Sequence, residues 1–151
     1  MLRLPDKLLF AIEAVVDIAY HGGGQPVQSK EITRRQGIPA RYLEQALQQL
    51  VRTGVLIGVR GPRGGYRLAR ERRRVTLGEI VRAIGDGGES SRSKAGSALG
   101  HKVVRPLWQE MRAEVAARLD GTTIEELWRT VALRLPYSLP RAPTMRAVRT
   151  G

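Results

Sequence analysis

Arg41 lies three and four residues before Glu44 and Gln45, and Gln48 four and three after them, so on a helix the four share one face. Their side chains suit the edges of base pairs. Glutamine can bond adenine at two points, glutamate can accept from the cytosine amino group, and arginine can fork onto guanine or bind a phosphate. Tyr42 stands beside them, with a hydroxyl that can reach a phosphate and a ring that can equally pack against a hairpin. Further along, Arg60 and Arg63 flank Gly61-Pro62 and are followed by Gly64-Gly65. Glycines in such a turn let the backbone adopt conformations closed to other residues and approach a phosphate closely. A narrow minor groove attracts an arginine held there. Lys30, Arg34, Arg67 and Arg72 to Arg74 add cations suited to phosphates. The plainer uses stay open: a polar helix face can be merely solvated, and arginines keep a hairpin turn soluble.

Holding these groups on one surface requires particular elements. Leu8, Phe10, Ile12, Val15, Val16 and Ile18 recur at nearly helical spacing, predicting a helix over 6–20 that the glycines at 22–24 stop. A second helix over 29–36 turns Ile32 inward and Lys30, Arg34 and Arg35 outward, and ends at Gly37. Pro39 opens a third, over 40–53, with Leu43, Leu47, Leu50 and Val51 on its inner face. Two helices joined by Gly-Ile-Pro form a helix-turn-helix candidate, a pattern many helical hairpins share. Val55 to Val59 is strand-like, Arg60 to Gly65 is a tight basic turn, and Tyr66 to Ala69 returns as a strand, which makes a β-hairpin wing. Thr76-Leu77-Gly78-Glu79 is a capping box that starts a fourth helix through Ile80, Val81 and Ile84. The Gly- and Ser-rich stretch 86–100 reads as a mobile loop. Beyond it Val104, Leu107, Trp108, Met111, Val115 and Leu119 stripe a long helix over 102–119 with no obvious partner in so small a domain. A second capping box at Thr122 to Glu126 introduces a short last helix through Leu127, Trp128 and Val131, before a Pro- and Arg-rich tail expected to be disordered.

The charge supports a polyanionic partner. Among 151 residues, 26 Lys and Arg face 14 Asp and Glu, a net charge of +12, and the first 85 residues hold 15 basic and 7 acidic side chains. Nucleic acid leads and an anionic membrane surface follows. Aromatic residues are only 5% of the chain, with Phe10 the sole phenylalanine, so stacking platforms for single strands are few and duplex DNA is favoured. No apolar run approaches the roughly 18 residues needed to cross a bilayer. Asp6, Glu13 and Asp17 interrupt the first twenty residues, so no signal peptide is evident and the expected location is the cytoplasm. A phosphate-binding loop, a Ser, His and acid set and a metal-ligand spacing are all missing, so the chain does not read as an enzyme. With no cysteine there can be no disulfide, thiolate-metal site or thiol redox chemistry.

The strings EITRRQGIPARYLEQALQQLVRTGVL, VRGPRGGYRLAR and VTLGEIVRAI resemble the Rrf-two family of bacterial winged-helix transcription regulators, and the resemblance covers residues 2 to about 130. It implies a mainly α fold with a small β-hairpin: a winged helix-turn-helix domain over 1–85, a loop over 86–100, a dimerisation helix and short C-terminal helix over 101–133, and a tail over 134–151. The homodimer it implies would supply the missing partner for the Val104 to Leu119 stripe, and its DNA target would be an inverted repeat. It implies that Glu44 and Gln45 read bases and that Arg60 enters the minor groove. Arg41 is carried over less firmly, because small polar residues also occur there in the family.

Many relatives hold an iron-sulfur cluster on three cysteines in the loop and at the start of the long helix. Aligned on Leu107-Trp108, those places fall at Ser90, Gly96 and Lys102, and a further ligand position falls at Arg105. None of these ligates iron as a thiolate does. His101 lies near, and both it and His21 read as surface histidines. The expectation is a regulator with no cofactor, responding to another ligand, to a partner protein or to nothing. The alternatives are a member whose native ligands were replaced, given the serines crowding the loop, and a basic architectural DNA-binding protein.

Overall fold

The apolar spacing of the first helix is realised in α1 (Asp6–Gly22), which buries Ala11, Ala14, Val15 and Ile18 along one face. The computed structural model describes residues 4–85 and 96–135. The serine-rich positions including Ser90, and the tail from 136, lie outside them. α2 (Ser29–Gln36) buries Ile32 and ends at Gly37, whose N–H donates to Thr33 O at 2.9 Å. Ile38 is buried in the turn that leads to α3 (Ala40–Arg52). The inner face of α3 is Leu43, Ala46, Leu47 and Leu50. Val51, expected inside, is 37% exposed, and Ala46 takes its place facing the core.

The hairpin follows as expected, somewhat shorter. β1 (Leu56–Val59) pairs antiparallel with β2 (Gly65–Leu68), in the register Leu56 to Leu68, Ile57 to Arg67, Gly58 to Tyr66 and Val59 to Gly65. Val27, just before α2, adds a two-way bridge to Tyr66, with both N–H to O distances 2.8 Å. The hairpin is thereby tied to the helix-turn-helix. A 3-10 turn at Arg72–Arg74 leads to α4 (Leu77–Ile84), and the expected capping box forms: Glu79 N–H donates to Thr76 Oγ1 at 3.3 Å and Thr76 N–H to Glu79 Oε2 at 3.0 Å. Arg70 also donates to Glu79, at 2.6 Å. Burial pushes the Glu79 pKa up, but the Thr76 N–H and the Arg70 guanidinium outweigh it and hold the carboxyl below the ordinary 4.5.

A prediction arises here. Thr76→Ala should lower folding stability by about 1 kcal/mol, read from urea denaturation at neutral pH. Because the folded carboxyl is the more acidic one, Glu79 contributes stability above pH 4.5 that is lost as pH falls through its folded pKa. The gap between the melting temperatures of the wild type and Glu79→Gln should close over that range.

Residues 98 and 99 are already helical, so the long helix starts earlier than expected. A π-helical turn at Gly100–Val104 precedes α5 (Arg105–Asp120), with Pro106 in its first turn. Proline lacks the N–H of a helical bond and crowds the carbonyl four residues back, and the wider turn accommodates it. No residue of α5 is buried. Leu99, Val103, Val104, Leu107, Trp108, Met111 and Val115 stand 48 to 64% exposed, while Leu119 is partly covered.

α6 (Ile124–Arg134) turns back onto the N-terminal core. The hydrogen bonds Leu77 N–H to Thr122 O and Ile124 N–H to Val75 O, each 2.9 Å, pin its start, and Ile124 is wholly buried with Leu127 packed against the core. Its N-cap is Thr123, which accepts from Glu126 N–H at 3.3 Å. Burial of each such aliphatic side chain is worth about 1.5–3 kcal/mol. Among the described residues no helix is long and apolar enough to cross a membrane.

Candidate nucleic-acid interface

With Leu43, Leu47 and Leu50 fixed inward, the period of α3 turns Arg41, Glu44, Gln45 and Gln48 outward, and all four are exposed. Among the described residues none of them has a hydrogen-bond or ion-pair partner, so their polar groups remain available to a ligand. Gln48, Val51 and Arg52 of α3 share a shallow depression with Gly58 and Tyr66 of the hairpin. The helix and the wing therefore border one continuous surface. The Tyr42 ring lies beside α1, its centroid 6.2 Å from that of Phe10, and the residue is 52% exposed.

At the hairpin tip Arg60, Gly61, Pro62 and Arg63 are exposed, and Pro62 O accepts from Gln28 Nε2 at 3.3 Å, which ties the tip to the start of α2. The last two glycines serve the turn itself. A Cβ on the buried Gly64 would lie 2.2 Å from Val59 O. One on Gly65, where φ is +148°, would lie 2.4 Å from Val27 O. Close backbone packing accounts for both, apart from any approach to phosphate.

The basic residues separate into groups. Lys30 and Arg34 lie exposed on α2 without partners among the described residues. Arg67 lies on the hairpin face opposite Tyr66, since neighbours along a strand point to opposite sides, and so does not join α3. Arg72 is engaged by the C-terminal helix, paired with Glu125 and with its guanidinium carbon 4.0 Å from the Trp128 ring centroid. Arg73 pairs with Glu71.

Arg35, expected outward, points inward. Its Nε and one terminal nitrogen donate to the buried Asp17 at 3.0 and 2.6 Å, and Gln36 donates to the same carboxylate at 2.7 Å. The Asp17 hydrogen bond is the main reason the Arg35 pKa is raised. His21 is no surface histidine: its side chain is 6% exposed and its Nε2 lies 3.9 Å from Asp17. This network clamps α1 to α2 and so sets the base on which α3 is presented. Its sequence signal was Asp17 itself, an acid on the apolar stripe of α1 one residue from Ile18, which demands a buried partner.

A helix-turn-helix whose second helix presents an unpaired polar face, bordered by a basic β-hairpin, defines a winged helix-turn-helix DNA-binding transcription regulator. Residues 4–130 match the Rrf2 family, described as iron-dependent transcriptional regulators, and the chain belongs to that family of bacterial proteins. It is 33% identical to the HTH-type transcriptional regulator IscR of Xenorhabdus nematophila over 129 residues, 83% of this chain and 79% of the relative. Among solved structures it resembles T. potens IscR, with 31% identity, a TM-score of 0.71 and coverage of 86% of this chain and 88% of that one. It likewise resembles CymR, the global cysteine regulator of B. subtilis, with 30% identity, a TM-score of 0.71 and coverage of 86% and 98%.

An iron-sulfur cluster does not fit the residues present. The chain has no cysteine. Gly96, Lys102 and Arg105 are exposed, and the His101 and Arg105 side chains lean over Gly96, 3.1 and 3.5 Å from where its Cβ would be. Among the described residues no three His, Asp or Glu side chains gather as a metal site. Glycine offers no ligand, and cationic side chains repel iron.

Proposed function

We propose that the chain acts as a homodimer that recognises an inverted-repeat DNA operator in sequence-specific fashion, without an iron-sulfur cluster. The observation that carries this reading is the unpaired polar face of α3 beside the wing. Gln45 and Glu44 read base edges in the major groove, with Gln48 and Arg41 flanking them. Arg60 enters the adjoining minor groove, Arg63 lies at its rim, and Lys30 and Arg34 hold phosphates. The stripe from Leu99 to Val115 pairs with the same stripe of a second copy, which places two α3 helices about one helical turn of DNA apart. The cysteine-free loop leaves the input to another ligand or to a protein partner, and protein and DNA meet in the cytoplasm.

Gel-shift on the upstream DNA of its own gene tests the site. Gln45→Ala should cost about 1–3 kcal/mol and relax base preference with little change in the salt slope, whereas Arg60→Ala should weaken binding and flatten that slope. Equal binding of the wild type and both variants would sink these roles. Protein purified anaerobically should be colourless, and a visible charge-transfer band would contradict the cluster-free reading.

A further inference from the structure

A cleft of about 430 Å³ opens behind the hairpin, between the end of α1, strand β2 and the connector that runs from Arg70 to Arg73. That size suits a small organic molecule. Ile18, Ala19 and Leu68 give it an apolar wall, and four arginines and two glutamates give it a polar one. Three of the arginines are already neutralised: Arg70 by Glu79, Arg72 by Glu125 and Arg73 by Glu71. Arg67 is different. It is half-buried, and among the described residues it has no hydrogen-bond or ion-pair partner. A partly desolvated guanidinium without an acceptor is costly, and a planar oxyanion that it can fork offsets the cost. The register of the hairpin keeps Arg67 off the surface that Tyr66 shares with α3, and the cleft is concave where a duplex is convex.

We propose that this cleft binds a small organic anion, its carboxylate or phosphate group forked by Arg67 and its apolar part resting on Ile18, Ala19 and Leu68. The ligand touches the wing strand, the end of α1 and the connector that carries Arg72, and through Arg72 it reaches Glu125 on α6. Occupancy therefore biases the position of the wing relative to the rest of the domain, which makes the cleft a site for an effector of DNA binding. That last step rests on the DNA-binding reading above.

The test is an NMR titration of the full chain with succinate and, separately, with inorganic phosphate, following the Arg67 Nε–H resonance in the wild type and the backbone amides of the cleft residues Ala19 and Leu68 in the wild type and the variant alike, with sodium chloride at matched ionic strength as control. The expected result is a saturable shift with a dissociation constant on the order of millimolar for at least one probe. Succinate alone would identify a carboxylate ligand, and phosphate alone a phosphate ester. Arg67→Met, with an unchanged melting temperature, should weaken binding about tenfold or more. No saturable shift with either probe, the same affinity in Arg67→Met, or an equal shift with sodium chloride would overturn the site. Saturating probe should also change operator affinity, and operator should change probe affinity by the same factor. Probe binding without any change in operator affinity would remove the effector role. Probe binding by a protein with no sequence preference on DNA would overturn the regulator reading and leave the cleft standing.

Discussion

Replacing Trp108 and Met111 together by aspartate should yield a folded monomer that binds operator DNA about a hundredfold or more weaker than the wild type. Both side chains are 48% exposed on α5, within a stripe that also includes Leu99, Val103, Leu107 and Val115. An apolar strip of this length is unusual on the surface of a monomer and marks an association site. The folded core draws nothing from it, since no residue of α5 is buried. Two carboxylates in the strip would therefore leave the winged-helix domain intact while making pairing of two copies unfavourable. Without pairing, each half-site is bound singly, and the advantage of two linked contacts, typically 10²–10⁴ in affinity, is lost. Sedimentation equilibrium would report the mass, circular dichroism the fold, and fluorescence anisotropy the DNA affinity. A wild type that sediments as a monomer, or a double variant that still dimerises and binds as before, would refute the pairing of α5.

Asp17→Ala should destabilise the protein by about 3–5 kcal/mol, because it strands the Arg35 guanidinium in a place where only 11% of that side chain meets solvent. Gln36 would lose its acceptor as well. The companion change Arg35→Met should recover much of the loss, since removing both charges leaves an apolar contact in place of an unpaired ion. Urea denaturation of the two single variants and the double variant completes the cycle. Additive losses would mean that Asp17 and Arg35 contribute independently and that no clamp between α1 and α2 exists.

Much of the architecture was legible because it rests on local signals. The bounds of α2, the Thr76 to Glu79 capping box and the basic turn between two short strands are written in adjacent residues, and each formed as expected. What stayed hidden depends on how distant segments meet. Helical period alone turned Arg35 outward, and only the approach of α1 brings Asp17 within reach of it. Val51 reads as a core residue beside Leu50, yet the smaller Ala46 is the one buried in the core while Val51 borders the wing. The docking of α6 uses main-chain hydrogen bonds between Val75 to Leu77 and Thr122 to Ile124, which do not depend on side-chain identity and which no composition announces. The early start of the long helix was obscured by Gly100 and Pro106, which a π-helical turn accommodates. On α3, by contrast, the spacing of Arg41, Glu44, Gln45 and Gln48 was sufficient, because a helix held by Leu43, Leu47 and Leu50 can face them only one way.

Sequence-specific recognition is tested most directly by selecting binding sites from a random duplex library with the intact wild-type chain, followed by competition between the enriched site and its scrambled counterpart at fixed salt. The expected result is an inverted repeat with half-sites about one helical turn apart, bound on the order of a thousandfold more tightly than scrambled DNA. A library that returns no common motif, with equal affinity for both duplexes, would leave only charge-driven binding and contradict the assignment of Glu44 and Gln45 as base readers.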